Sequence, residues 1–221
     1  MRAALVQQGG PRLPDIAKAR RWGITRLFFE ARDPALLDPT RVPVNVLQWV
    51  KAQGMGVGVM REPSWTGKYG ATHAEELSND LTRFGFGPTT GPDSCAALSD
   101  DEKHFPSEIL PMLTRFRELR RTRTFLWSPE PMQGGWVDDD PALVDFIQND
   151  VNLKVIVQLY LGTPRLYPVS ERVAVDNLKA ASIDDSRIAC FYDTIETRVP
   201  WGWNGILYSF NHLPDSPPVG L

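Results

Sequence analysis

The sequence lacks the features that would place it in a membrane, on nucleic acid or among disulfide-stabilised proteins. Only two of its 221 residues are cysteines. Both Cys95 and Cys190 lie in apolar segments, so we expect buried thiols rather than a disulfide. No hydrophobic run approaches the roughly 20 residues that a membrane-spanning helix needs. The net charge is −3, and the one basic run, residues 115–123, is typical of a solvated helix face, so we expect no nucleic-acid partner.

Several chemical signatures are missing as well. The chain has no glycine-rich dinucleotide fingerprint after its first apolar segment, no phosphate-binding loop, no G-x-S-x-G elbow and no H-E-x-x-H motif. Its three histidines lie in separate segments, which does not favour a zinc site. We therefore expect no cofactor and no metal. The N-terminal residues do not resemble a signal peptide, so we expect synthesis in a reducing cytoplasm.

Short apolar segments alternate with amphipathic ones along the whole chain. The apolar segments predict eight strands, at residues 3–8, 26–30, 56–61, 95–98, 124–127, 154–160, 188–192 and 205–210. The amphipathic segments predict six helices, at residues 14–22, 44–53, 72–83, 107–121, 141–149 and 170–181. Thr72 and Glu75 have the spacing of a capping box at the start of the third helix.

This alternation predicts an α/β domain with parallel strands joined by right-handed crossovers. Eight strands favour a closed (β/α)8 barrel of the TIM type, a single domain over residues 1–221; the alternative is an open doubly wound sheet. The last helices have too few residues, so we expect a trimmed barrel with an extended tail at residues 213–221. The side of the last two strands, with Trp201, Trp203 and residues 214–221, should then be covered by the tail or by another chain.

In such a barrel the functional face is built by the residues that follow the strands. The first cluster there is Asp100, Glu102 and His104, which share a face if the strand continues through them. Repulsion from Asp100 would raise the pKa of Glu102, as suits a general acid. The alternative is a solvated turn that caps the next helix.

Three further clusters follow later strands. Glu130, Gln133 and Trp136 follow the fifth strand, unless W-S-P-E-P is only a rigid proline turn. Gln158 and Tyr160 share a face of the sixth strand, where interior packing is the alternative. Asp193 follows the seventh strand, as a base or an ion-pair partner. The candidate catalytic residues are Asp100, Glu102, Glu130, Tyr160 and Asp193, and the candidate substrate-binding residues are Trp65, His104, Gln133, Trp136 and Gln158.

The strings D-x-E-x-H, W-x-x-E-x-M-Q-G-G-W, Q-x-Y and F-Y-D, in this order, resemble the glycoside-hydrolase-like barrels that phages of actinobacteria carry as minor tail proteins. The D-x-E pair is also similar to that of muramidase- and chitinase-type hydrolases. That resemblance implies Glu102 as general acid, supported by Asp100, with Tyr160 as the tyrosine of strand six. Residues 95–99 lack the further acidic residues of the chitinase type, and Gln7 and Gln8 stand where the muramidase type has an aspartate.

The resemblance implies a virion component, made in the host cytoplasm, that contacts other tail proteins and cell-surface carbohydrate, with homo-oligomerisation left open. An active glycosidase that cleaves envelope polysaccharide or peptidoglycan is the alternative. A cytoplasmic metabolic barrel enzyme is the weaker third interpretation, because no glycine-rich phosphate loop follows the seventh strand. The separation of the catalytic carboxyl groups would distinguish an enzyme from a binding protein.

Overall fold

The computed structural model describes ten stretches of the chain: residues 1–6, 13–32, 46–63, 66–88, 95–101, 106–129, 140–159, 171–193, 203–208 and 210–217. Its eight strands are β1 (Arg2–Val6), β2 (Arg26–Glu30), β3 (Gly56–Arg61), β4 (Ala96–Asp101), β5 (Phe125–Pro129), β6 (Leu153–Leu159), β7 (Ile188–Asp193) and β8 (Gly205–Tyr208). Its helices are α1 (Ile16–Arg21), α2 (Val46–Ala52), α3 (Gly70–Arg83), α4 (Pro106–Leu119), α5 (Pro141–Asn149) and α6 (Glu171–Ala180). Short 3-10 turns occupy Asp185–Arg187 and Phe210–His212.

The strands form a closed barrel in which each pairs in parallel with its neighbours in sequence, and β8 pairs with β1. The predicted (β/α)8 barrel is therefore confirmed, and the open sheet is excluded. All eight predicted strands and all six predicted helices are present within a few residues of their predicted bounds. No helix in the described stretches is long and apolar enough to cross a membrane.

Strand alternation divides the apolar residues into two cores. The inner core fills the barrel and comprises Ala3, Leu5, Phe28, Met60, Ala96, Leu98, Leu126, Ile156, Ala189, Phe191 and Ile206. The outer core lies between the strands and the helices, and Leu27, Val57 and Trp127 belong to it. Successive strand residues point to opposite faces, so this division also assigns the polar residues at the strand ends to one face or the other.

Two local predictions were wrong. Helix α3 begins at Gly70, after an N-cap at Tyr69 that makes no side-chain cap bond. Thr72 and Glu75 therefore lie inside the helix, not in a capping box. Strand β4 runs to Asp101, three residues beyond its predicted end.

The basic run is not a uniformly solvated helix face, contrary to prediction. Arg120 and Arg123 are each 2% exposed. Arg120 donates to the carbonyl oxygens of Ser78 and Phe86, and Arg123 donates to that of Cys95, at 2.5–3.0 Å. Because these guanidinium groups bind buried backbone carbonyl oxygens, Arg120 and Arg123 belong to the framework of the fold.

The C-terminal stretch packs beside α1, and coverage of the last two strands stays a prediction. Leu213 is buried, and the Trp22 indole donates to the carbonyl oxygen of Pro214 at 2.9 Å. Trp203 is also buried and lies edge-on to Tyr192, with 6.5 Å between ring centroids. Trp201 and residues 218–221 lie outside the described stretches.

Candidate functional site

A polar cluster lies inside the barrel at the carboxyl ends of three adjacent strands. Asp100 of β4 is on the same face as Ala96 and Leu98 of the inner core, and only 3% of it is exposed. The side-chain amide of Gln158 on β6 donates to Asp100 Oδ1 at 2.7 Å. It also lies 3.1 Å from the carbonyl oxygen of Ser128 on β5, the residue paired with Asp100. One amide thus joins three strands at the end where barrel sites form.

The Ser128 hydroxyl completes this cluster. Ser128 lies on the inner face with Leu126 and is fully buried, and its Oγ has no hydrogen-bond partner among the described residues. A hydroxyl group can both donate and accept a hydrogen bond, so the Ser128 hydroxyl can still bind a polar group of a ligand. Ser128 is not among the candidate site residues that the sequence predicts. Ser128 lies two residues after Leu126, and this spacing indicates that both side chains face the interior. The proline that follows it favours a turn instead.

Glu30 is a second residue that the site prediction did not include. It ends β2 on the same face as Phe28 and is 6% exposed. Its Oε2 lies 3.4 Å from Nε of Arg32. Its position at the end of the second strand indicates the functional face from the sequence alone, and the alternation in R-L-F-F-E places it on the face of Phe28.

The structure describes part of the predicted site. It brings Asp100 and Gln158 together, and their roles remain predictions. The interpretation of residues 100–104 as a solvated turn is wrong for Asp100 and Asp101, which are buried in β4. Asp193 ends β7 opposite Tyr208, and only its backbone is described. The remaining candidates lie outside the described residues: Trp65, Glu102, His104, Glu130, Gln133, Trp136 and Tyr160.

The outer face of the same strand ends carries a separate polar network. Asp101 accepts from the Trp127 indole at 2.6 Å and from the Ser99 hydroxyl at 2.7 Å. Nε2 of His73, on α3, lies 2.9 Å from the Ser99 Oγ. All four residues are completely buried. The network therefore connects α3, β4 and β5 directly behind the inner cluster.

Arg61 at the end of β3 also faces outward, toward α3. It contacts Glu76 and Asp80 of α3, each at 2.7 Å. Burial alone would raise the pKa of Glu76, but hydrogen bonds from Lys68 and Arg61 outweigh it and lower this pKa to about 2. Burial raises the pKa of Asp80 despite the nearby guanidinium groups of Arg61 and Arg83. These charges hold α3 against the barrel.

The described residues show no metal centre. Their histidine, cysteine and acidic side chains nowhere form a group of three that could hold an ion. The inner cluster offers a carboxylate, an amide and a hydroxyl, which can exchange hydrogen bonds with hydroxyl or acetamido groups of a ligand. With Glu30 on the same inner face, the strand ends supply two carboxyl groups.

Neither a protein-family model nor a curated protein matches the chain. Several solved structures share its fold. An endo-β-N-acetylglucosaminidase from Cordyceps militaris aligns with a TM-score of 0.55 and 10% identity, over 95% of this chain and 80% of the other. A glycoside hydrolase family 5 protein from Bacteroides vulgatus aligns with a TM-score of 0.52 and 10% identity, over 95% of this chain and 58% of the other. Endo-glycoceramidase II from Rhodococcus sp. aligns with a TM-score of 0.50 and 11% identity, over 99% of this chain and 74% of the other. The chain thus has the (β/α)8 fold found in glycoside hydrolases.

Proposed function

We propose that this chain is a carbohydrate-binding barrel that takes a glycan at the carboxyl ends of β4, β5 and β6. The observation that carries the proposal is the buried cluster of Asp100, Gln158 and the unsatisfied Ser128 hydroxyl. Glycans present dense hydroxyl groups, and a preformed carboxylate–amide pair can bind them without first ordering flexible side chains.

The fold supports the same class of ligand. Two of the similar structures are named an endo-β-N-acetylglucosaminidase and an endo-glycoceramidase, names that denote action on glycans. Fold similarity at this level of identity raises the expectation of a sugar ligand but does not choose the sugar. We therefore rest the proposal on the cluster and take the ligand class from the fold.

The proposed setting is a phage virion, with the barrel as a minor tail protein that contacts host cell-surface carbohydrate and other tail proteins. Support comes from the resemblance of the D-x-E-x-H and M-Q-G-G-W strings at residues 100–104 and 132–136. In this setting, glycan binding would hold the tail against the cell wall.

Hydrolysis is the second candidate function, and one observation favours it. Asp100 is on the inner face two residues before Glu102, as in the D-x-E pair of the hydrolases that the sequence resembles. Glu102 would donate a proton to the leaving oxygen, and Asp100 would support it.

Binding is tested with chitotetraose by isothermal titration calorimetry. Asp100→Asn should weaken binding about tenfold, the usual effect of one lost hydrogen bond to a charged group. Ser128→Ala should also weaken binding but leave the melting temperature unchanged or raised, because it removes a buried hydroxyl that has no partner. The matched control is Asp215→Asn, which removes an exposed carboxylate from the tail.

The same preparations decide between the two functions. If the barrel is an enzyme, it should release reducing ends from peptidoglycan, and Glu102→Gln should slow this release at least ~100-fold. No release, together with chitotetraose binding that depends on Asp100, supports the binding protein. Failure of the wild type to bind chitotetraose, muro-oligosaccharides and soluble glucans would overturn both functions.

A further inference from the structure

The outer face of β4 becomes polar at its carboxyl end, where a helix-covered face is normally apolar. The outward residues of β6 at this level are Val155 and Val157, whereas those of β4 are Ser99 and Asp101. Asp101 is completely buried. A buried carboxylate destabilises the fold unless hydrogen-bond donors compensate its loss of hydration. An apolar residue would pack at this position without that penalty.

The donors of the network can be assigned from their proton counts. Trp127 Nε1 can only donate, and it points at Asp101 Oδ2 at 2.6 Å. The Ser99 hydroxyl has one proton, and Asp101 Oδ1 at 2.7 Å is a far better acceptor than the Met112 sulfur at 3.6 Å. His73 Nε2 must then donate to Ser99 Oγ at 2.9 Å. Asp101 thus accepts from Trp127 of β5 and Ser99 of β4, and His73 of α3 donates to Ser99 behind it.

The network lies one residue away from the inner cluster on both strands. Asp101 follows Asp100, and Trp127 precedes Ser128. Asp100 and Ser128 are the two acceptors of the Gln158 amide. The bond between Trp127 and Asp101 therefore joins β4 and β5 at the level where the same strands present these acceptors. We therefore expect a change in this bond to alter the separation of the Asp100 carboxylate and the Ser128 carbonyl oxygen.

We propose that Asp101 and Trp127 are positioning residues for the candidate glycan site, with Ser99 and His73 as their supports. They hold Asp100 and Ser128 at the separation that one Gln158 amide can bridge. The role in glycan binding rests on the proposed function. The role in positioning Gln158 does not, and it can be measured without any ligand.

The test follows the side-chain amide of Gln158 by NMR in protein labelled with ¹⁵N. Trp127→Phe keeps the ring in the outer core and deletes only the indole donor. It should shift both Gln158 amide-proton signals and speed their exchange with solvent about tenfold, as expected when one hydrogen bond is lost. Ser99→Ala, which leaves the indole bond intact, should produce a smaller change in the same direction. If Trp127→Phe does not fold, Ser99→Ala alone tests whether the network positions Gln158.

The matched control is Val50→Ala, a core deletion in α2 on another side of the barrel. It should lower the melting temperature and leave the Gln158 signals where they are, which separates positioning from general destabilisation. Unchanged Gln158 signals in both Trp127→Phe and Ser99→Ala would overturn the proposal, as would equal changes in Val50→Ala.

Chitotetraose affinity gives the functional readout on the same samples. Trp127→Phe should weaken binding about tenfold, in step with the loss of Gln158 protection. If the wild type binds none of chitotetraose, muro-oligosaccharides and soluble glucans, the proposed function fails, and the NMR signals still decide whether the network positions Gln158. Wild-type affinity in a Trp127→Phe protein with shifted Gln158 signals would overturn the role in glycan binding.

Discussion

Two adjacent aspartates on β4 have opposite surroundings. Asp100 faces the interior of the barrel and accepts from Gln158, whereas Asp101 faces the helices and accepts from Trp127 and Ser99. Strand alternation alone produces this division. Each carboxylate accepts a hydrogen bond from another strand. These bonds offset the loss of hydration that would otherwise destabilise a buried carboxylate.

Cys95 provides a prediction at the scale of one residue. Burial raises the pKa of this thiol to about 12, and the nearby cations, Arg123 first among them, offset only part of the effect. Since the thiolate is the reactive form, iodoacetamide at pH 8 should modify native Cys95 on the order of 100-fold more slowly than an exposed cysteine. Mass spectrometry of the alkylated peptides measures this rate. Half-buried Cys190 is the internal comparison, and equal rates at both cysteines would contradict the burial of Cys95.

Helix α3 shows how an element is attached to the barrel. Arg61 at the end of β3 bridges Glu76 and Asp80, which lie one helical turn apart on α3. His73, on the same helix, reaches β4 through Ser99. The helix is therefore held by polar contacts to two strands at the end of the barrel that carries the candidate site.

Glu76→Gln tests this attachment. At pH 7 it should lower the free energy of unfolding by about 1–3 kcal/mol, the range for hydrogen bonds to charged groups. The folded pKa of Glu76 is about 2, below its ordinary 4.5, so the charge stabilises the fold above pH 4.5 and stops doing so as the pH falls through about 2. Urea unfolding at several pH values should show the difference between wild type and variant shrinking over that window.

The control for this experiment is Glu118→Gln, which removes a surface ion pair with Arg115. Surface pairs contribute little, so this change should leave the free energy of unfolding nearly unchanged at any pH. If the free energies of unfolding of wild type and Glu76→Gln still differ by the same amount at pH 2, the charge of Glu76 is not what stabilises the attachment of the helix.

At the scale of the whole molecule, closure of the barrel depends on the pairing of β8 with β7 and β1. Gly205 starts β8, pairing with Cys190 on one side and Arg2 on the other. A methyl group at Gly205 would lie 1.8 Å from the Cys190 carbonyl oxygen, which is backbone and cannot turn away. No side chain fits there without moving β7 and β8 apart.

Gly205→Ala should therefore destabilise the protein by roughly 3 kcal/mol or more, the upper range for overpacking a core. Gly87→Ala is the matched control, because nothing lies within 4 Å of its added methyl group. Thermal unfolding by circular dichroism compares the two. A Gly205→Ala protein as stable as Gly87→Ala would mean that β8 can shift without opening the barrel.

Element boundaries were predictable where local chemistry sets them. Helix α5 was predicted with its observed bounds, since Asp140 caps its first turn by accepting from the Leu143 amide and Pro141 suits the first helical position. The end of β4 was not predictable, because two aspartates disfavour a strand locally. Trp127 and Gln158, from other strands, supply the donors that keep Asp100 and Asp101 in β4.

The sequence by itself determined the order and number of strands and helices, and with them the barrel, because hydrophobic periodicity and short connections leave few ways to bury eight parallel strands. It also placed Asp100 and Gln158 at the strand ends. Only the tertiary structure decided that these two meet, that Ser128 faces the interior with an unsatisfied hydroxyl, and that Asp101 is anchored to Trp127. Such contacts join residues 26 to 58 positions apart, and closure of the barrel, not local preference, brings them within hydrogen-bond distance.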